Sequence, residues 1–167
     1  MKNLLIFTLC FVLTVNFGLS QVLPKYDEIK LETKDDFNEI ANNSALQASN
    51  YLLSTPMDSK SIDRLRSLQF IIKWMTGSPD YSFTLDEQAT KFAKGNDDLL
   101  GLYMAAMTKY VLENKAESKN QNTIKLNAVR IIIKYAKDIN NKVKINKELK
   151  KVIEAEENGK LEEYLKI

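Results

Sequence analysis

From Thr33 onward, apolar side chains recur every three or four positions, the spacing that gathers them on one face of a helix. The first run is Phe37, Ile40, Ala41, Ala45, Ala48, Leu52 and Leu53. Thr33 stands before it as a cap, Asp35 and Asp36 bring carboxylates to the positive helix end, and Pro56 closes it. A second run starts near Ser59 or Ser61. It carries Ile62, Leu65, Leu68, Ile72 and Met75 on one face, widened by Phe70, Ile71 and Trp74. So broad a face predicts a central helix, stopped by Gly77 with Pro79 just beyond. Thr84-Leu85-Asp86-Glu87 has the form of a capping box, with Phe83 placed to pack back onto a short helix of Leu85, Ala89, Phe92 and Ala93 that ends at Gly95.

Asn96-Asp97-Asp98 caps a heavily apolar helix containing Leu99, Leu100, Tyr103, Met104, Ala106, Met107, Tyr110 and Val111. Gly101 inside it costs about 1 kcal/mol against Ala, so a close helix–helix approach is expected there. After the polar connection 115–122, a helix from about Thr123 to Asn140 turns Ile124, Ala128, Ile131, Ile132, Tyr135 and Ile139 inward. Its run Val129–Ile133 is rich in β-branched residues, but the flanking spacing favours helix. A last helix spans about 147–157 and is closed by Asn158-Gly159, with Leu161, Tyr164 and Leu165 in a terminal turn or helical tail. No segment alternates at period two between turn signals. The expectation is an all-α domain, a bundle of five to six helices. The alternative is a short α-solenoid of helix pairs, which unequal helix lengths and the lack of a repeat near 34 residues disfavour.

The chain opens MKNLLIFTLCFVLTVNFGLSQ. Lys2, the apolar run Leu4–Val15, and small Gly18 and Ser20 before Gln21 form the pattern of a secretory signal peptide over residues 1–20. The run falls short of the roughly 20 apolar residues that span a bilayer, and the mature chain is expected to have no transmembrane helix. That chain has an extended lead-in over 21–32 and one helical domain over 33–167. Its only cysteine, Cys10, is lost with the leader, so it must be held by packing alone, which fits a periplasmic or secreted bacterial protein. Lipidation of Cys10 at a membrane surface is the alternative localisation.

Composition removes most chemistry. The sequence contains no histidine, the commonest metal ligand and the usual general base near neutral pH. Without a mature cysteine either, the common zinc sites, Ser-His-Asp triads and Cys-His dyads are excluded, and no metal or cofactor is expected. Asp35-Asp36 and Asp97-Asp98 sit at helix starts, where capping explains them, and neighbouring residues on a helix do not face one another. No stretch matches a calcium loop, a phosphate loop or a nucleophile elbow. Only a carboxylate-dependent hydrolase, built from acids distant in sequence and acting on envelope polysaccharide, escapes this search. No catalytic residue is assigned.

Charge is unevenly distributed. Residues 115–151 carry eleven Lys or Arg against three acids, whereas residues 21–98 carry nine basic and thirteen acidic side chains. Arg130, Lys134 and Lys137 fall at i, i+4 and i+7, a basic face for an anionic partner, either a protein or an envelope component. Nucleic acid is not expected, because no aromatic residues interleave with the lysines. The stretch KWMTGSPDYSF over 73–83 combines helix punctuation with Trp74, Tyr81 and Phe83. With Tyr103 these are the candidate lining of an apolar groove between helices, the mark of a small-ligand carrier.

The signal peptide, the segment FIIKWMTGSPDYSF and the closing IEAEENGKLEEYLKI resemble short secreted, all-helical proteins of unassigned function from the Bacteroidota. The resemblance implies export and an all-α fold, and brings no catalytic residue with it. The functional expectation is an exported, non-catalytic interaction or binding module, ahead of the ligand carrier and the hydrolase. Mass spectrometry of the exported protein should find Gln21 as its first residue. Recovery of the intact chain beginning at Met1 would rule the leader out.

Overall fold

Seven α-helices make up most of the described residues, 22–167, of the computed structural model, and no strand occurs among them. They are α1 (Glu39–Ser54), α2 (Ile62–Gly77), α3 (Glu87–Thr90), α4 (Asp97–Glu113), α5 (Gln121–Lys137), α6 (Lys147–Glu157) and α7 (Leu161–Leu165). The all-α bundle is therefore the fold. The expectations for residues 1–20, including Cys10, lie outside the described residues.

Six of the seven helices start on a side-chain cap. Asn38 accepts from the Ile40 and Ala41 N–H groups, Ser61 from Arg64, Asp86 from Ala89, Asn96 from Leu99, Asn120 from Thr123 and Asn146 from Leu149. Each such cap stabilises its helix by about 0.5–2 kcal/mol. These caps move three expected boundaries. Thr33 does not open α1: it forms a capping box with Asp36 around a 3-10 turn, and Asn38 starts the helix five residues later. Asp86 replaces Thr84 as the cap of α3, because the oxygen within reach of a free N–H is the carboxylate. Helix α5 stops at Lys137, and Asp138 starts a separate 3-10 turn over Ile139–Asn141.

The centre of the bundle is α4, not α2. Eleven of its seventeen residues are buried, among them Leu99, Leu102, Tyr103, Met107 and Val111. Helix α1 lies against α2 and α4, and α5 packs on α4 as well, so helices distant in sequence meet around one core rather than stacking as successive pairs. The buried face of α1 is mostly small, with Ala41, Ser44, Ala45, Ala48 and Ser49, and lets the backbones come close. At Gly101 an added Cβ would lie 2.7 Å from a Leu68 methyl, the close approach expected at that glycine.

Helix α2 is rotated from the expected orientation. Ser67, Phe70, Ile71 and Trp74 face the core, while Ile62, Leu65 and Ile72 are exposed. Apolar residues run around most of this helix, so their spacing does not fix its phase. Tyr26 does: its ring stacks on Phe70 with centroids 4.8 Å apart and its hydroxyl lies 3.2 Å from Ser67 Oγ. The lead-in is thus not simply extended. It carries a 3-10 turn at Tyr26–Glu28 and buries Leu31.

Helix α6 ends as the Asn158-Gly159 signal predicts. Gly159 adopts φ +67°, and its N–H and that of Lys160 donate to the carbonyls of Glu156 and Ala155, a Schellman motif. This reverses the chain so that α7 folds back onto α3 and α5. Gln88 Nε2 then donates to the Tyr164 carbonyl at 2.6 Å, and Lys125 Nζ to the Leu165 carbonyl at 3.3 Å.

Gly77 ends α2 for an unexpected reason. It is not among the residues with positive φ; instead an added Cβ would stand 2.3 Å from the tip of the buried Phe37 ring. Gly77→Ala should lower stability by about 1–3 kcal/mol, the usual cost of overpacking. In urea denaturation the loss should shrink when Phe37→Leu is also present. Equal losses in both backgrounds would refute the contact as the cause.

Candidate functional site

Trp74 is fully buried, and its Nε1–H donates to Asn42 Oδ1 on α1 at 2.9 Å. Tyr81 and Phe83 lean on it, with ring centroids 5.3 and 5.9 Å away. Their segment is pinned at its far side, where Gln121 donates to the Ser82 carbonyl and accepts from the Thr84 N–H. Tyr81 and Phe83 are half-buried and packed against the core, so they close over the indole instead of opening a cleft beside it. Tyr103 packs elsewhere, edge-on to Phe92 at 5.9 Å. Three of the four residues expected to line a groove therefore form one packed cluster, and the fourth belongs to a separate aromatic pair. Nothing in the sequence marked Asn42 as the partner of Trp74.

Buried hydroxyls are a second feature. Those of Tyr103, Thr108 and Tyr164 have no hydrogen-bond partner among the described residues. Burial, with the charge of Asp86 adding to it, raises the Tyr103 phenol far above its ordinary range. Asp86 itself is pulled two ways. Partial burial would raise its carboxyl, but the hydrogen bond from Lys125 Nζ at 2.8 Å, the Ala89 N–H and the Lys125 charge outweigh this, and the net shift is downward.

The basic face divides on inspection. Arg130 Nε reaches Glu156 at 3.0 Å and Lys137 Nζ reaches Glu157 at 2.7 Å. The acidic end of α6 thus answers two of the three charges. Lys134, between them, makes no ion pair among the described residues, and neither do Lys142 and Lys144 in the loop that follows α5. Beside those lysines, Ile139 is 88% exposed and Ile145 43%. Lys142, Lys144 and the two isoleucines line one open hollow of about 490 Å³ with Val143 and Ile153, and Lys137 and the Asp138 carboxylate stand at the same hollow. Apolar spacing predicts Ile139 inward on an α5 that runs to Asn140. The Asp138 side chain, accepting from the Asn140 N–H at 2.9 Å, redirects the chain before that turn can form. The interleaving of lysine with aliphatic residues in INNKVKI was the available signal.

Carboxylates meet in pairs at three hollows. Glu154 and Glu163 line an open one of about 650 Å³, and Glu87 and Asp97 one of about 400 Å³. Asp58 and Asp98 line a smaller one with Arg64, whose guanidinium donates to the Leu52 and Thr55 carbonyls and to Thr55 Oγ1. At about 70 Å³ it is well below the roughly 300–1,000 Å³ of pockets for small organic ligands, too tight for a sugar ring. No group of three or more acidic side chains arranged to hold a metal occurs among the described residues. Asp36 is a structural carboxylate: it accepts from the Thr33 and Glu32 N–H groups and the Thr33 hydroxyl, which lowers its pKa.

The chain is a helical bundle with a surface carrying lysines and exposed aliphatic residues between α5 and α6. No helix among the described residues is long and apolar enough to cross a membrane. No family model, curated protein or solved structure matches the chain.

Two spectroscopic outcomes follow from the aromatic geometry. Trp74 emission should resist iodide quenching in the folded protein and become accessible only on unfolding; quenching in the native state would reopen the groove. The Tyr110 phenol is raised to about 12 by desolvation, assisted by its hydrogen bond to Glu117 and by that carboxylate's charge. Because the folded value lies above the unfolded one, its contribution to stability is complete below about pH 10 and lost as pH rises through about 12. Tyr110→Phe should remove a phenol titrating near 12 from the ultraviolet titration. A missing phenol that titrates near 10 would dismiss the contact.

Proposed function

We propose that the protein is an exported, non-catalytic helical module that binds an anionic partner, a protein or a component of the cell envelope. The binding surface is the end of the bundle where α5 passes into α6. One juxtaposition carries the reading: Lys134, Lys142 and Lys144 are exposed and unpaired among the described residues, and Lys142 and Lys144 share a hollow with exposed Ile139 and Ile145. Like charges on one surface repel, and an anion bound beside them turns that repulsion into attraction. Acids elsewhere in the chain already pair with Arg130, Lys137 and Lys150, whereas Lys134, Lys142 and Lys144 keep their charge free for a partner, with Asp138 the acid at the same hollow. The N-terminal pattern of charge, apolar run and small residues supports export. The non-catalytic part rests on the histidine-free composition and on the placement of the acidic pairs in the first turns of helical segments.

A photo-crosslinker carried in place of Lys144 should trap an anionic species in the native compartment. One carried in place of Lys73 on α2 should not. Adding Lys134→Glu and Lys142→Glu should lower the yield at the first position by about tenfold or more, the scale expected for reversing charges at an electrostatically matched contact. Equal yields from the two positions, or no loss on charge reversal, would rule out this surface.

A further inference from the structure

The α5–α6 loop is held in place rather than loose. Asn141 Nδ2 donates to the Tyr135 carbonyl at 2.9 Å, and the Met57 N–H donates to the Asn141 carbonyl at 3.0 Å. The Lys142 N–H donates to the Ile139 carbonyl at 3.2 Å, and Lys142 is fixed at φ +56°, in the left-handed region that non-glycine residues rarely occupy. These bonds fix Ile139 and Lys142, and Lys144 and Ile145 follow in the irregular segment that Asn146 anchors by donating to the Phe92 carbonyl at 2.7 Å.

We propose that this turn docks on an anionic lipid bilayer, with Ile139 and Ile145 entering the boundary between headgroups and acyl chains. Lys142 and Lys144 sit on lipid phosphates, and Lys134 faces the membrane from α5. The proposal rests on the anionic-partner reading above and names that partner. Lipid is favoured because the turn presents two needs at one place. The amines need fixed anions, and the isoleucines need an apolar phase within a side chain's length of those anions. An acidic polysaccharide offers only the first. An acidic protein offers both only if it carries an apolar recess matched to this turn. A bilayer with anionic headgroups offers both everywhere on its surface, layered as the turn requires. Binding should therefore rise steeply with the anionic lipid fraction and weaken with salt.

The test is co-sedimentation with vesicles of phosphatidylglycerol in phosphatidylcholine, against vesicles of phosphatidylcholine alone. Every arm uses the chain as its cells release it, with the first residue established by mass spectrometry, so the N-terminus is common to all variants. The parent should pellet with the phosphatidylglycerol vesicles only. Lys142→Glu with Lys144→Glu should weaken this by about tenfold or more, and so should Ile139→Ser with Ile145→Ser. With Ile139→Trp, indole emission should be quenched by lipids brominated on their acyl chains. All these side chains are exposed, and unchanged far-ultraviolet circular dichroism confirms that each variant is folded. Vesicle binding that ignores the isoleucine substitutions, or no quenching by brominated chains, overturns the lipid proposal. It leaves the anionic-partner reading standing if lysine reversal still weakens binding. Absence of vesicle binding, with lysine-dependent retention on immobilised alginate or polyglutamate, has the same meaning. No binding to any of these probes, together with no crosslink at Lys144, removes both.

Discussion

Everything in this fold depends on hiding α4. A helix that buries Leu99, Leu102, Tyr103, Met107 and Val111 on one side and Ala105, Thr108 and Leu112 on the other needs neighbours on both. Full burial of each large apolar side chain contributes about 1.5–3 kcal/mol, so the chain gains most by surrounding α4 completely. The neighbouring helices show what that requires. The alanines and serines of α1 bring its axis close, and Gly101 lets Leu68 of α2 fill the space where a side chain would be. Once α1 and α4 are in place, the stacked pair Tyr26–Phe70 and the Trp74–Asn42 hydrogen bond leave α2 a single orientation.

The second half of the chain adds charge to this plan. Helix α6 buries Leu149 and Val152 and turns Glu156 and Glu157 towards Arg130 and Lys137. Both pairs are substantially exposed, and such ion pairs contribute roughly 0–1 kcal/mol. They help align α6 on α5 without holding it there; apolar burial and the return of α7 through Gln88 and Lys125 do more. Their larger effect is electrostatic. By pairing two residues of the basic stripe, they leave Lys134 of that stripe without an ion pair among the described residues. A long patch read from the sequence thus becomes a small one set beside exposed aliphatic side chains.

What could be read from the sequence was local, and what could not depended on contacts between distant segments. Asn96 before α4 and Gly159 after α6 were legible because a cap acts within one turn of its own backbone. Helical content was legible because periodic apolar spacing survives errors of a few residues. The phase of α2 was not, since Ile62, Leu65, Leu68, Phe70, Ile71, Ile72, Trp74 and Met75 leave little of its surface polar. Ser67, a polar residue inside the core, is explained only by Tyr26, forty-one residues away. Gly77 was correctly placed as the end of α2, but by the wrong physics: it makes room for a ring rather than adopting a left-handed turn. Of the candidate site residues, the aromatics proved to be packing. Two of the three charges of the basic stripe meet acids of α6, which sequence spacing alone does not show.

Backbone strain adds a reason to look at the α5–α6 turn, and also limits how much it can support. Two non-glycine residues take positive φ among the described residues, Lys142 and Lys166, whereas Gly95 and Gly159 occupy comparable turns without steric cost. Glycine would relax either lysine position, so retaining a lysine there costs on the order of 1 kcal/mol or more. Lys166 terminates α7, where a cation suits the negative end of a helix, so a strained lysine alone is no sign of a binding site. Lys142 differs in its surroundings. The hydrogen bonds that hold its turn also hold Ile139 clear of the core, with Lys144 and Ile145 at the rim of the same hollow. A folding role does not explain why a well-tied turn keeps its isoleucines exposed and its amines unpaired. The proposed membrane contact would use both.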